Sequence, residues 1–255
     1  MRKLIRIIVL DVLRSRFVLF YALLLSGMAW SVFSLENSTQ KALLSLLNLV
    51  LLTIPLISVM YAGSYIYNRS EFIELLLGQP IQRGRIWRCL FAGISLALLT
   101  AVLIGIGIPV LLYSFNNLGF MMIGVSGLMT IIFISLAMWV TLLSRDKARG
   151  MGLNILLWLF FALLFDGLIL FLLFQLADYP IEKMMMAFTF LNPIGLARIY
   201  ILLQLEVSAL LGYTGAIFKD FFGTISGSLI SLTVMGLWAV IPFIFSLHRF
   251  KRIDL

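Results

Sequence analysis

Few side chains in these 255 residues could make or break bonds, and they are scattered. The single histidine, His248, is followed on its side by only one acid, Asp254, so a Ser-His-Asp set does not assemble around it. No group of His, Cys, Asp and Glu has zinc-site spacing. No Gly-Lys dipeptide occurs, which excludes the phosphate-cradling P-loop and ATP binding by that route. Cys89 is alone, so no intrachain disulfide forms. Met184, Met185 and Met186 could offer thioethers to Cu(I). Three consecutive helical residues do not share a face, however, and Met is also ordinary apolar filler. They are weak metal candidates, and neither a resident metal nor a cofactor is expected.

Asp166 is the outstanding polar residue. It lies inside an apolar run at 152–176, 14 residues from its start, or about 21 Å along a helix. An ionised Asp at the centre of a membrane helix costs about 2.5–3.5 kcal/mol on insertion scales, and less toward the boundary. It must therefore pair, protonate or face water. Two readings stand at this level: a translocation-path or gating residue, or a hydrogen bond to a hydroxyl or amide on another span.

The elements that position these residues are six apolar runs: 17–35, 43–66, 90–114, 120–143, 152–176 and 224–247. Hydrophobic residues make up 62% of the chain and charged residues 12%, against about 25% charged in ordinary soluble domains. The solvent for such a surface is lipid. Each run is long enough to cross the ~30 Å hydrocarbon layer as a helix. Strand-like alternation is absent, so the expected fold is an all-α membrane protein, one transmembrane domain over 1–255. Pro55, Pro242 and the group Gly105, Gly107 and Pro109 mark kinks or close packing inside spans, and Asn48 lies near the outer end of span two. Gly223 and Gly227 form a weak GxxxG pair.

The net charge of +8 is unevenly spread. Residues 1–16, 67–89, 144–150 and 248–255 hold five, four, three and three cations, whereas the other side holds Lys41, Lys183, Arg198 and Lys219. This is the positive-inside pattern and not a nucleic-acid surface. It puts both termini in the cytoplasm, and six spans agree with that parity. The first apolar run is long for a signal peptide and has no A-x-A-like site after it, so it is expected to remain uncleaved. Residues 2–15 read as a basic amphipathic helix with Ile5, Ile8, Val9 and Val12 on one face, lying against anionic lipid.

Two loops stand out. In 68–87, Asn68 and Glu71 have capping-box spacing, Gly78 suits a helix C′ position, and Pro80 prevents continuation. A short helix is expected over 69–77. It carries Phe72, Ile73, Leu75, Leu76 and Leu77, too much apolar surface for a solvated loop. Either this protein's own helices or a cytosolic partner must cover it. The loop 144–150, with Arg145, Lys147 and Arg149, is a second candidate contact. On the other side, residues 177–223 are too long for a plain connector. They read as two short amphipathic helices broken at Asn192-Pro193, then a Gly-Tyr-Thr-Gly turn at 212–215.

The run from Glu71 to Arg83, with its Gln79-Pro80-Ile81, resembles the coupling segment of ABC-2 type permeases. The N-terminal helix, six spans and outer hairpin extend the resemblance over essentially the whole chain. It implies a type V ABC exporter-like half-permease, multi-pass in a bacterial inner membrane. The chain would form a homodimer and work with a separate cytosolic ATPase subunit that binds the ATP. Glu71, Phe72, Glu74, Leu75, Leu76, Gln79, Pro80, Arg83 and Arg85 would then form the ATPase contact. A narrower resemblance is to the permeases of complexes that mature the copper sites of nitrous oxide reductase. It rests on Arg145–Gly150, Trp158, Asp166-Gly167, Leu191-Asn192-Pro193 with Arg198, and Ser208–Phe218. It implies a periplasmic accessory protein seated on the outer face, with Asn192, Pro193, Arg198 and Tyr213 at that contact. An exporter permease for lipid, glycan, drug or peptide, and an ion-coupled transporter using Asp166, are the competing readings.

Overall fold

In the computed structural model, residues 2–175, 182–204 and 225–252 are described. No strand occurs among them. A short helix α1 (Arg2–Leu13) precedes span one, α2 (Arg16–Leu35), and span two, α3 (Thr39–Asn68). The loop helix α4 (Ser70–Leu77) follows at once. Span three is α5 (Arg83–Val102), a π turn at Leu103–Gly107, and α6 (Ile108–Tyr113). Span four is α7 (Asn117–Thr141). Span five is α8 (Lys147–Leu159), a π turn at Phe160–Leu164, and α9 (Phe165–Gln175). Then come α10 (Glu182–Leu191), α11 (Pro193–Gln204) and span six, α12 (Ile225–Arg252). Among the described residues six helices are long and apolar enough to cross a membrane, at the six places the sequence predicts.

Local chemistry explains where several spans begin. Ser15, Ser38, Asn116 and Asp146 each turn a side-chain oxygen onto a backbone N–H three residues ahead, at 2.9–3.4 Å. Each satisfies one of the donors that a helix start leaves open. Two of these caps, Ser15 and Asp146, lie in basic segments, and two, Ser38 and Asn116, in the cation-poor loops; α4 and α5 start without a side-chain cap.

Spans two, three and four make the core. The best apolar windows of spans three and four are 61% buried, against 17% for span five and 22% for span six. Span five therefore leaves most of its surface to lipid or to another chain. Gly105 of span three works by close approach, where a Cβ would stand 2.6 Å from the Leu25 Cβ of span one, whereas Gly107 meets no neighbouring helix. Pro109, two residues past Gly107, lacks the N–H that a regular ladder needs, and the π turn ends at that point. The π turn in span five has no Pro or Gly inside it and had no signal in the sequence.

The N-terminal helix keeps only part of its expected face. Ile8 and Val12 are buried, while Ile5 and Val9 are half-buried. Ile8 packs onto Gly93 of span three. Ile7 and Leu10 stay exposed, as the imperfect stripe implies.

Candidate functional site

The basic end is built around the junction of α3 and α4, where one residue, Arg69, separates two helices. The expected capping box at Asn68 does not form. Span two continues through Asn68, so its side chain is held in helical geometry and cannot turn back onto the next helix. Its amide instead donates to Ser64 Oγ at 3.1 Å, and its carbonyl oxygen accepts from Lys147 Nζ at 2.6 Å. Gly78 also departs from expectation: it closes α4 in right-handed geometry, with φ −71°.

Arg69 reaches the other way. Its guanidinium contacts both Asp11 carboxylate oxygens, at 2.6 and 2.9 Å, and the Tyr65 hydroxyl donates to the same carboxylate at 3.1 Å. The junction is thus held from one side by α1 and from the other by the start of span five. Asp11 was not among the expected site residues. The available signal was its sign, a lone acid among the five cations of residues 1–16. This cluster borders a cleft of about 490 Å³ that also meets Phe17, Met60 and Met151.

The loop helix α4 divides its apolar surface. Ile73 and Leu76 are buried against the bundle, and Phe72 and Leu77 are half-buried. Leu75 is 73% exposed, and Glu71 and Glu74 are exposed beside it. Cover by the protein's own helices therefore accounts for one face only. Gln79, Pro80, Arg83 and Arg85 are exposed too, as are Arg145, Lys147 and Arg149 of the neighbouring loop. A second cleft of about 540 Å³ lies between α4, that loop and the end of span six, reaching Glu74, Arg145 and Arg249. The end of span six is pinned to span three by the Trp87 Nε1–Ser246 Oγ bond of 2.9 Å and by Trp87 stacked on Phe250.

At the far end, Asp166 finds partners, though not on another span. Arg198 Nη1 contacts its Oδ2 at 2.8 Å, and Asn192 Nδ2 approaches its Oδ1 at 3.4 Å. Both come from the α10–α11 elbow. Span five begins at Lys147, so Asp166 sits 19 residues in, about 28 Å along the helix. It is therefore nearer the far boundary than a start at 152 implied, and the pair is a third exposed on both sides.

Asn192 is 1% exposed and satisfies three groups. Its amide nitrogen donates to the Phe161 carbonyl at 3.1 Å as well as approaching Asp166, and its oxygen accepts from Ile194 N at 3.0 Å. The Phe161 carbonyl lies in the span-five π turn, where the backbone ladder shifts and side chains commonly intervene. Pro193 then opens α11 at a position where its missing N–H costs nothing. Asn192 and Pro193 are both buried within the chain. Met184–Met186 lie within α10, but their side chains fall outside the described residues, as does Tyr213. Among the described residues no cluster of three His, Cys, Asp or Glu could hold a metal.

A six-span helical bundle of this kind is a multi-pass membrane protein, and comparison with known proteins identifies its class. The profile described as ABC-2 family transporter protein matches residues 68–255, from the loop helix to the end. A relative from Pseudomonas aeruginosa, "Probable ABC transporter permease protein NosY", is 29% identical over 224 residues, 78% of this chain and 80% of the relative. The protein of the same name from Stutzerimonas stutzeri is 31% identical over 185 residues, 64% of this chain and 67% of the relative. The chain belongs to the ABC-2 transporter family and is the permease subunit of an ABC transporter. In that family the ATPase activity sits in separate subunits, so an ATPase partner is implied.

Proposed function

We propose that this chain couples ATP hydrolysis by a separate cytosolic ATPase subunit to movement of its own outer elbow, as half of a homodimeric permease. The observation that carries the reading is the split surface of α4. One face is buried in the bundle and the other presents Leu75 between Glu71 and Glu74, beside the exposed Pro80 and Arg83. Such a helix can receive a push and pass it on. Charge asymmetry makes its end cytosolic, and the poorly buried spans five and six leave room for a second copy.

The two relatives carrying the NosY name, together with the motifs shared with copper-maturation permeases, support a role in assembling the copper sites of nitrous oxide reductase. A periplasmic accessory protein on the outer face belongs to the same reading. The exporter alternative shares the ATPase contact and differs only in what the outer face meets. The ion-coupled alternative is disfavoured, because Asp166 is engaged by Arg198 rather than free to carry an ion.

The test is co-purification of the tagged chain with its ATPase subunit and measurement of ATP hydrolysis. Native protein should retain the subunit and stimulate turnover, and Glu74→Arg with Leu75→Arg should lose both. Unchanged binding and stimulation in that variant would refute the assignment of α4. Deletion of the gene should leave nitrous oxide reductase copper-deficient, and a fully loaded enzyme would favour the exporter reading.

A further inference from the structure

Three features of span five are not absorbed by the reading above: its ties to span two, an unmet buried amide, and the polar cluster at its far end. Span five is joined to span two at the basic end through Lys147–Asn68, and the Tyr67 hydroxyl donates to the Ser144 carbonyl of the loop that leads into it. Higher up, Trp158 Nε1 donates to the Leu52 carbonyl at 3.1 Å. Between these ties Asn154 packs on Gly63, fully buried, with neither amide atom hydrogen-bonded. An unmet buried polar group costs rather than stabilises. The register of the two spans is therefore set by the ties around this contact and not by Asn154 itself.

At its far end span five grips the elbow through Asp166–Arg198 and through the Phe161 carbonyl bonded to Asn192. The elbow is also fastened to span six, where Trp238 Nε1 donates to the Phe190 carbonyl at 3.0 Å. A displacement of the α3–α4 junction thus has an unbroken path: Asn68 to Lys147, along one helix to Asp166, and across to Arg198. The structure points to span five as the transmitting member of the permease, with Asp166, Asn192 and Arg198 as the latch that makes the elbow follow it. The inference rests on the ATPase-coupled reading and adds which contacts carry the motion outward. Coupling is a property of both ends, so the test measures each end separately.

Reconstitute the native complex with its ATPase subunit in lipid nanodiscs, with spin labels at Leu112 on span three and Leu191 on the elbow, both exposed. Compare the label distance without nucleotide and after vanadate trapping, and measure ATPase stimulation in the same samples. The native complex should show a distance shift on trapping. Asp166→Asn should keep stimulation within about twofold and lose more than half of the shift. The exchanged pair Asp166→Arg with Arg198→Asp should recover most of it, which a merely structural role for either side chain would not do. A full shift in Asp166→Asn overturns the latch, as does a native complex that hydrolyses ATP with no shift. Absence of stimulation in the native complex overturns the coupled reading itself, and the latch falls with it.

Discussion

Gly150, three residues into α8, has no room for a side chain. A Cβ there would run into the Tyr67 hydroxyl and stand only 2.7 Å from its Cε2. That hydroxyl's single proton is shared between the Ser144 carbonyl at 2.9 Å and the Thr141 carbonyl at 3.1 Å. Gly150→Ala must therefore displace the ring or move span five. Losing that bond costs about 1 kcal/mol, and overpacking adds about 1–3 kcal/mol. Alanine returns about 1 kcal/mol of helix propensity, leaving a net loss of about 1–3 kcal/mol. In a Tyr67→Ala background the obstruction is gone and only the propensity gain remains. The same substitution should then stabilise by up to about 1 kcal/mol. The assay is unfolding in detergent followed by tryptophan fluorescence, on the two single variants and the double. Equal costs in both backgrounds would show that the close approach of spans two and five at Gly150 is not what the glycine is for.

Leu75 and Leu76 should separate docking from folding. Leu76→Ala should destabilise by about 2–3 kcal/mol because the residue is buried; Leu75→Ala should change stability by less than about 0.5 kcal/mol yet weaken ATPase-subunit retention in a pull-down. The Asp11–Arg69 pair is half-exposed, so Asp11→Asn or Arg69→Gln should each cost about 0.5–1.5 kcal/mol. Hydrogen exchange should then rise in α1, with the double variant no worse than the worse single one.

The spans were legible because a bilayer demands a simple thing of the sequence, a long apolar run; the caps at Ser15, Ser38, Asn116 and Asp146, which set several of the starts, emerged only in the structure. The loop helix was legible from its proline stop. Its capping box was not, because the helix before it ran on through Asn68, and no local rule states how far a preceding helix continues. Asp166 was legible as a residue in need of a partner. The partner was not, because Arg198 lies 32 positions away and reads in sequence as a surface cation. Asp11 was hidden for a related reason: beside five cations it reads as charge dilution until Arg69 is folded onto it.

These long-range ties concentrate on the span with the least buried surface, and membrane physics gives the reason. Inside lipid, apolar contact between helices gains little over apolar contact with acyl chains, so association depends on close packing and polar bonds. Spans three and four, 61% buried, are held by packing over their length. Span five, 17% buried, is held by glycine approaches at Gly63 and Gly150 and by a few polar ties. Removing one tie from a well-packed span changes little. In span five a larger share of the hold on its neighbours falls to these ties and to its packing on span two. Lys147, Trp158 and Asp166 carry the polar ties that join span five to span two and to the elbow.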